Sequence, residues 1–317
     1  MAVKTVFSKR DFKQILSNYD IGEFKDFKHF RAGSVQTNIL IKTNKGKFVL
    51  RYYEEKPKKL VQFEANLLDY LSKHKYPCAM PIHAVDGKII GEYKKKPYIV
   101  FNYLEGRHLK NINDKQLHGM MRALAQLHNI SKGYKPINYK LRQPRTKEFC
   151  LHEAKIEAKR FKNKEKGRER LNIIKNKLSK LKFPNALPKG VMHGDFDKAN
   201  IKFVGDKVSG ILDFDDATYT FLIYDVGVVL LYWTRFYLKK FDFKKARKII
   251  KLYEKYRPLS KKEKLHVYDA LQLHALMIMA WLMYDDWRGK DIFKKLSGIL
   301  DELDQIGRKE FYKKVFS

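Results

Sequence analysis

Three side chains at fixed intervals within residues 191–224 have the chemistry of phosphoryl transfer: Asp195, Asn200 and Asp213. That reaction asks for a group to take the proton of an attacking hydroxyl and for positive charge held against phosphate oxygens, and it asks little covalent chemistry of the protein. Asp195 follows the apolar pair Val191-Met192 and then His193-Gly194, and would act as the base. Asn200 follows five positions later, and Asp213 ends the run Gly210-Ile211-Leu212. Both offer hard oxygen ligands of the kind that suit Mg²⁺, which keeps waters and phosphate oxygens in its other positions. Residues 208–212 are apolar and bounded by Gly205 and Asp216, so they read as one strand of a hairpin with Asp213 at its end. Asp and Asn also favour turns through their own side-chain hydrogen bonds, and a lone His-x-Asp would be read that way. Here three spaced elements coincide with the strand context they require.

With Phe214 added, these residues resemble the catalytic loop and metal-binding strand of the aminoglycoside phosphotransferase and choline kinase-like superfamily, small-molecule relatives of protein kinases that carry His-Gly-Asp in place of His-Arg-Asp. Within it the chain is most similar to the type II homoserine kinases. Met1-Ala2-Val3, Tyr19-Asp20-Ile21-Gly22, Ala32-Gly33 with Asn38, residues 190–200 and 209–214, Tyr224-Asp225 and Tyr256-Arg257-Pro258-Leu259-Ser260 recur there in the same order. The resemblance implies an α+β, protein kinase-like bilobal fold with a small β-rich N-lobe and a larger helical C-lobe. It also implies ATP and Mg²⁺ as cofactors, Asp195 as catalytic residue, Asn200 and Asp213 as metal ligands, and a small-molecule hydroxyl as acceptor. L-Homoserine leads, with an aminoglycoside, a choline-like or a hydroxylysine-like alcohol as the alternative, and a non-catalytic, nucleic-acid-associated protein of the same fold behind both.

The elements that must position these groups follow from periodicity. Strand-like runs at 38–43, 47–53 and 98–102 flank one amphipathic segment, 60–73, and helical spacing dominates afterwards at 114–130, 149–181, 222–239, 243–256, 261–284 and 292–316. The division falls into an N-terminal nucleotide-binding lobe, 1–103, and a helical lobe with catalytic loop and substrate site, 104–317. Gly33 and Ser34 sit where the family places its phosphate-covering loop, and a small polar turn lets backbone N–H groups approach phosphate oxygens, though such a turn can equally be a plain hairpin. Arg51 stands where protein kinases have a strand lysine, and Glu64 on the following helix would pair with it. An exposed strand Arg and a helix-surface Glu are the competing reading. Phe101 would back the adenine, with backbone groups of Asn102 and Leu104 at its edge. Asp225 matches the family aspartate that fastens the catalytic loop, or is an acid complementing a helix N-terminus. His193 reads as a structural residue of the loop, His128 as core and Asp215 as a turn residue. Asp285, Asp286, Trp287 and Arg288 form an aromatic and acidic cluster suited to an amine-bearing substrate, or simply a packed helix end. The related homoserine kinases carry arginines in the late helix, where this chain has the apolar run 275–284. Arg288 would supply the missing cation for a substrate carboxylate.

Composition narrows the class. The chain has 317 residues, 44% hydrophobic and 14% aromatic, enough for two cores and too apolar for disorder. Two distant cysteines, Cys78 and Cys150, give neither a disulfide framework nor a zinc pattern, and a reducing, cytoplasmic setting is the expectation. The start lacks the apolar stretch of a signal peptide, and the greasy stretches near 221–238 and 270–284 are interrupted by Asp225, Arg235 and His274, so no membrane partner is expected. A net charge of +32 raises nucleic-acid binding. The basic residues, however, are spread over nearly every segment without a nucleic-acid-binding signature, which favours a solvated surface that attracts ATP.

Overall fold

Residues 37–43 alternate strictly, and Thr37, Ile39, Ile41 and Thr43 turn inward to buried positions while their neighbours do not. This strand, β2 (Thr37–Thr43), lies in a five-stranded antiparallel sheet with β1 (Phe24–His29), β3 (Gly46–Tyr52), β4 (Ile90–Tyr93) and β5 (Lys96–Asn102), in the order β1-β2-β3-β5-β4. One face closes over α1 (Lys9–Leu16), whose Phe12, Ile15 and Leu16 join Ile39, Ile41, Leu50, Tyr52 and Val100 in a single core. Ser8 and Asp11 cap that helix reciprocally. The helix α2 (Lys58–Lys73) buries Val61, Glu64, Ala65, Leu68 and Leu71, the three-and-four spacing of one helical face. The computed structural model describes residues 5–30, 36–184, 186–284 and 291–316.

The chain separates into two units. The first comprises Met1–Asn111, Pro136–Arg142 and Ala199–Asp215; the second comprises Ile112–Lys135, Gln143–Lys198 and Asp216–Ser317. The division expected at 103/104 follows chain order, whereas these units interleave, because the hairpin after the catalytic loop groups with the sheet. In the second unit, β6 (Lys189–Met192) pairs with β9 (Thr218–Phe221), and β7 (Ile201–Val204) pairs with β8 (Lys207–Ile211) in the first. The helices of the second unit are α3 (Asp114–Ser131), α4 (Lys147–Arg160), α5 (Lys164–Lys180), α6 (Ile223–Leu231), α7 (Phe243–Glu254), α8 (Lys261–Trp281) and α9 (Ile292–Phe316). Every residue of α6 is buried. It lies so close to α8 that a Cβ on Gly227 would come within 2.4 Å of the Ala270 backbone, which is why only glycine fits there. None of the described helices is long and apolar enough to cross a membrane, and both cysteines are buried and unpaired.

Two expected helices are corrected. The continuous helix over 149–181 is broken into α4 and α5: Phe161 leaves helical geometry, and the Asn163 side chain accepts the N–H groups of Glu165 and Lys166. An asparagine offering its own side chain to the next turn starts a new helix better than it continues an old one. The helix over 222–239 ends its regular part at Leu231 and passes into a π-turn, Tyr232–Phe236. Replacing Asn163 with Ala is expected to cost about 1 kcal/mol, read as a lower urea midpoint with an unchanged slope. An unaltered midpoint would show that the cap contributes nothing.

Candidate active site

In the second unit, β6 delivers Val191 and Met192 into the core and then His193, Gly194 and Asp195 at its end. The turn is held by Asp225, completely buried at the start of α6, whose carboxylate accepts the His193 N–H at 2.6 Å and the Gly194 N–H at 2.9 Å. His128 Nε2 lies 3.1 Å from the same carboxylate, and its Nδ1 lies 2.6 Å from the Tyr253 hydroxyl. A carboxylate only accepts, so Nε2 carries the proton and Nδ1 accepts from Tyr253. Tyr253 also receives a bond from Arg257 at 3.0 Å, and Arg257 pairs with Glu263 at 2.6 Å. Burial alone would raise the Asp225 carboxyl, but the hydrogen bonds it accepts from His128 and from the Gly194 N–H hold it below the usual carboxylate range. Burial lowers His128 in turn, so it bonds as a neutral imidazole. Gly194 has φ +87°, and a Cβ there would meet the Asp216 carbonyl at 2.7 Å, so the glycine of His-Gly-Asp is a steric requirement.

Asp195 is half-buried, and its Oδ1 accepts from the Tyr232 hydroxyl at 3.3 Å. Tyr232 begins the π-turn, a feature that often marks functional positions. Burial, and then the nearby Asp195, push its phenol well above the ordinary value, so it stays a donor.

In the first unit, pairing of Ile201 with Ile211 places Asn200 and Leu212 at the same end of the β7–β8 hairpin, where the Leu212 N–H donates to the Asn200 carbonyl at 2.8 Å. Asp213 follows with φ +63°, a left-handed conformation unusual outside glycine, and its side chain is half-exposed. A carboxylate and an amide oxygen on neighbouring backbone fit a hard cation such as Mg²⁺.

Beside them, Arg51 Nη1 lies 3.3 Å from Oε1 of the fully buried Glu64, and Arg51 Nη2 lies 2.7 Å from Asp215 and 3.7 Å from Asp213. Lys56 joins the cluster at 2.6 Å from Asp215 and 3.5 Å from Glu64. The Arg142 guanidinium stacks on Phe63 and donates to the Asp215 carbonyl at 2.5 Å. Asp215 does form a turn, with Phe214 and Asp216, but its side chain is a counter-ion, which the turn reading missed. Burial would raise its carboxyl, yet Arg51 and Lys56 bring it down to about 2. Burial raises Glu64 despite the same two cations.

A cavity of about 430 Å³ in this unit is walled by Val49, Leu68, Ala79, Phe101, Leu212 and Phe214 and reaches Arg51, Glu64, Asn200 and Asp213. At its edge the Tyr103 N–H bonds the Lys47 carbonyl, so the next residue back, Asn102, turns its backbone groups away from β3. The Asn102 N–H is taken by the Met80 carbonyl at 3.0 Å, and the Leu104 carbonyl by Lys202 at 2.6 Å.

Gly33, Ser34, Asp285, Asp286, Trp287 and Arg288 lie outside the described residues. Sequence reasoning missed Tyr232, Lys56 and Arg142. Of these only Tyr232 left a usable signal, standing seven residues after Asp225 and so on the same helical face. Lys56 and Arg142 come from elsewhere in the chain and meet Asp215 only through the fold.

Residues 26–259 match the family described as the phosphotransferase enzyme family. Homoserine kinase from Rhizobium etli is 28% identical, with 100% of this chain and 98% of the relative covered. Homoserine kinase from Bradyrhizobium diazoefficiens is 30% identical, with 83% and 80% covered. Among solved structures, amicoumacin kinase in complex with AMP-PNP, Ca²⁺ and amicoumacin superposes with TM-score 0.69 at 18% identity, covering 97% of this chain and 94% of that one. Spectinomycin phosphotransferase in complex with ADP and spectinomycin superposes with TM-score 0.64 at 12% identity, covering 99% and 96%. The fold is therefore protein kinase-like, with a five-stranded sheet followed by a mainly helical region.

The Asp215 cluster sets an acid limit on stability. Its folded carboxyl sits at about 2, below the unfolded value, so its contribution is complete above the unfolded value near pH 4 and is lost as pH falls toward 2. Asp215→Asn should be less stable than wild type by about 2 kcal/mol at pH 7, and urea unfolding should show that gap narrowing steadily as pH falls from about 4 toward about 2. A gap that persists in acid would mean that the cluster is held by packing and not by charge.

Proposed function

The chain belongs to the phosphotransferase enzyme family, and on that premise we propose that it transfers the γ-phosphoryl group of ATP to the hydroxyl of a small amino-bearing metabolite, L-homoserine in preference to aminoglycosides. The observation that carries the acceptor is the similarity to homoserine kinase along the whole of this chain, which includes segments phosphoryl transfer does not itself require. One such segment, Tyr256-Arg257-Pro258-Leu259-Ser260, ends the buried hydrogen-bonded series that reaches Asp225: Arg257 holds Tyr253, and Ser260 caps α8.

In this reading Asp195 accepts the proton of the acceptor hydroxyl as its oxygen bonds to the γ-phosphorus, the bond from that phosphorus to the bridging oxygen breaks, and ADP leaves. The Tyr232 hydroxyl steadies the Asp195 carboxylate. Asn200 and Asp213 would hold Mg²⁺, which when bound would offset charge on the phosphates. Arg51, with Glu64 fixing its position, would meet phosphate oxygens, and a guanidinium can do so through two parallel bonds. The apolar walls of the 430 Å³ cavity suit an adenine, with the Asn102 carbonyl and Leu104 N–H at its edge.

Purified protein with ATP and Mg²⁺ should show its highest kcat/KM for L-homoserine within a panel of homoserine, spectinomycin and other amino alcohols, and an aminoglycoside used far faster would refute the acceptor. Asp195→Ala should fold normally and lose at least about 100-fold in kcat. Asp213→Ala should abolish metal-dependent nucleotide binding by calorimetry. Near wild-type turnover by a folded Asp195→Ala protein would remove Asp195 from the base role.

A further inference from the structure

The apolar late helix poses a problem for an amino-acid acceptor, because its carboxylate needs a cation and residues 275–284 supply none. Within the second unit a different element supplies one. Arg145, just before α4, is buried to 8% exposure, with its guanidinium 4.2 Å from the Trp281 ring and Nη2 2.8 Å from Asp216 Oδ1. Arg145 lines a narrow recess together with Gly194, the residue before Asp195, and with His274 on α8. His274 is also 8% exposed, and its Nε2 has no hydrogen-bond partner among the described residues. An orphaned ring nitrogen at such depth costs free energy unless something fills the recess and bonds to it. The His274 ring stands edge-on to Tyr232 at 5.3 Å, and Tyr232 holds Asp195. The recess is thus tied on one side to the loop through Gly194 and on the other to the base through Tyr232.

We propose that Arg145, Asp216 and His274 form the acceptor subsite, and that it takes a zwitterionic α-amino acid bearing a side-chain hydroxyl. The assignment rests on the phosphotransferase reading and specifies which acceptors that site admits. The Arg145–Asp216 pair is itself a carboxylate on a guanidinium, so an α-carboxylate and an α-ammonium can replace each half of it while keeping both charges paired. The recess now measures about 10 Å³, room for one water. An acceptor therefore enters by parting the pair, and Asp216, with 51% of its side chain exposed, is the half that can move into solvent at little cost. Arg145, buried and stacked, stays as the fixed cation. Burial, and then the Arg145 charge, lower His274 to about 3, so it is a neutral imidazole that can donate to or accept from the acceptor without adding charge.

The test compares three acceptors that differ by one group: L-homoserine, 3-aminopropan-1-ol without the carboxylate, and 4-hydroxybutyrate without the amine. In Arg145→Met, which keeps apolar bulk against Trp281, the ratio of kcat/KM for homoserine to that for 3-aminopropan-1-ol should fall roughly 100-fold, mostly through KM. Arg145→Lys should recover part of it. In Asp216→Asn the ratio of homoserine to 4-hydroxybutyrate should fall instead, which keeps the proposal testable if Arg145→Met does not fold. Equal losses on all three acceptors would assign Arg145 a structural role and overturn the subsite, as would a wild-type enzyme that prefers 3-aminopropan-1-ol. A wild-type preference for serine or 5-hydroxylysine over homoserine would refute the homoserine reading alone, and the same ratios measured with that acceptor and its decarboxylated partner would then decide on Arg145.

Discussion

A carboxylate taken wholly out of water governs the catalytic loop. Asp225 sits at 0% exposure, where an isolated ion would be costly, and it is tolerated because two backbone N–H groups and a histidine N–H converge on it. The arrangement works in both directions: the loop N–H groups satisfy the acid, and the acid fixes the turn that presents Asp195. Everything behind it serves to keep His128 in the tautomer that donates, through Tyr253, Arg257 and Glu263. A helix start, a helix interior and the segment after α7 are thereby bound into the geometry of three residues, His193, Gly194 and Asp195.

The first unit solves a different electrostatic problem. Cations buried beside a cavity must be balanced and held in place, and here Glu64, Asp213 and Asp215 surround Arg51 and Lys56. Glu64 lies too far inside to be reached by solvent, so its contribution is to fix the guanidinium; Asp215 and Asp213 stand nearer the open side of the cavity. On the proposed function, an incoming polyphosphate would exchange one set of oxygens for another around the same guanidinium, which would keep the cost of reorganisation small. The positive φ at Asp213 aims its carboxylate from the end of a hairpin rather than from a free loop, and Asn200 is tied to the same end by one backbone hydrogen bond.

The net charge of +32 belongs mostly to exposed lysines, and the cations paired inside the two units are few and partly buried. Arg51, Arg145 and Arg257 are all arginines engaged with carboxylates, and each also faces an aromatic ring. A planar guanidinium holds two such neighbours at once with fixed geometry, and the Lys56 ammonium does so as a point charge, between Asp215 and Glu64 and over Tyr53.

What the sequence determined by itself was local chemistry and period. The spacing of Asp195, Asn200 and Asp213, the alternation of β2 and the helical faces of α2 and α3 are set by neighbours within a few residues, and so the kinase-like class was legible from them. Where a side chain's bonding lay among near neighbours it could still mislead: Asn163 read as helix interior until its amide was seen capping α5. Only the tertiary structure decided the charge partners. Asp215 read as a turn because its cations, Arg51 and Lys56, come from a strand and a loop more than a hundred residues earlier, and Asp225 reads equally as a helix acid or a loop clamp without the His193 and Gly194 N–H groups that meet it in the fold. Arg145 gave no signal at all, since a basic residue among 67 lysines and arginines is distinguished only by what buries it. Periodicity records which face of an element turns inward, but not what it meets there, and electrostatic function depends on the second.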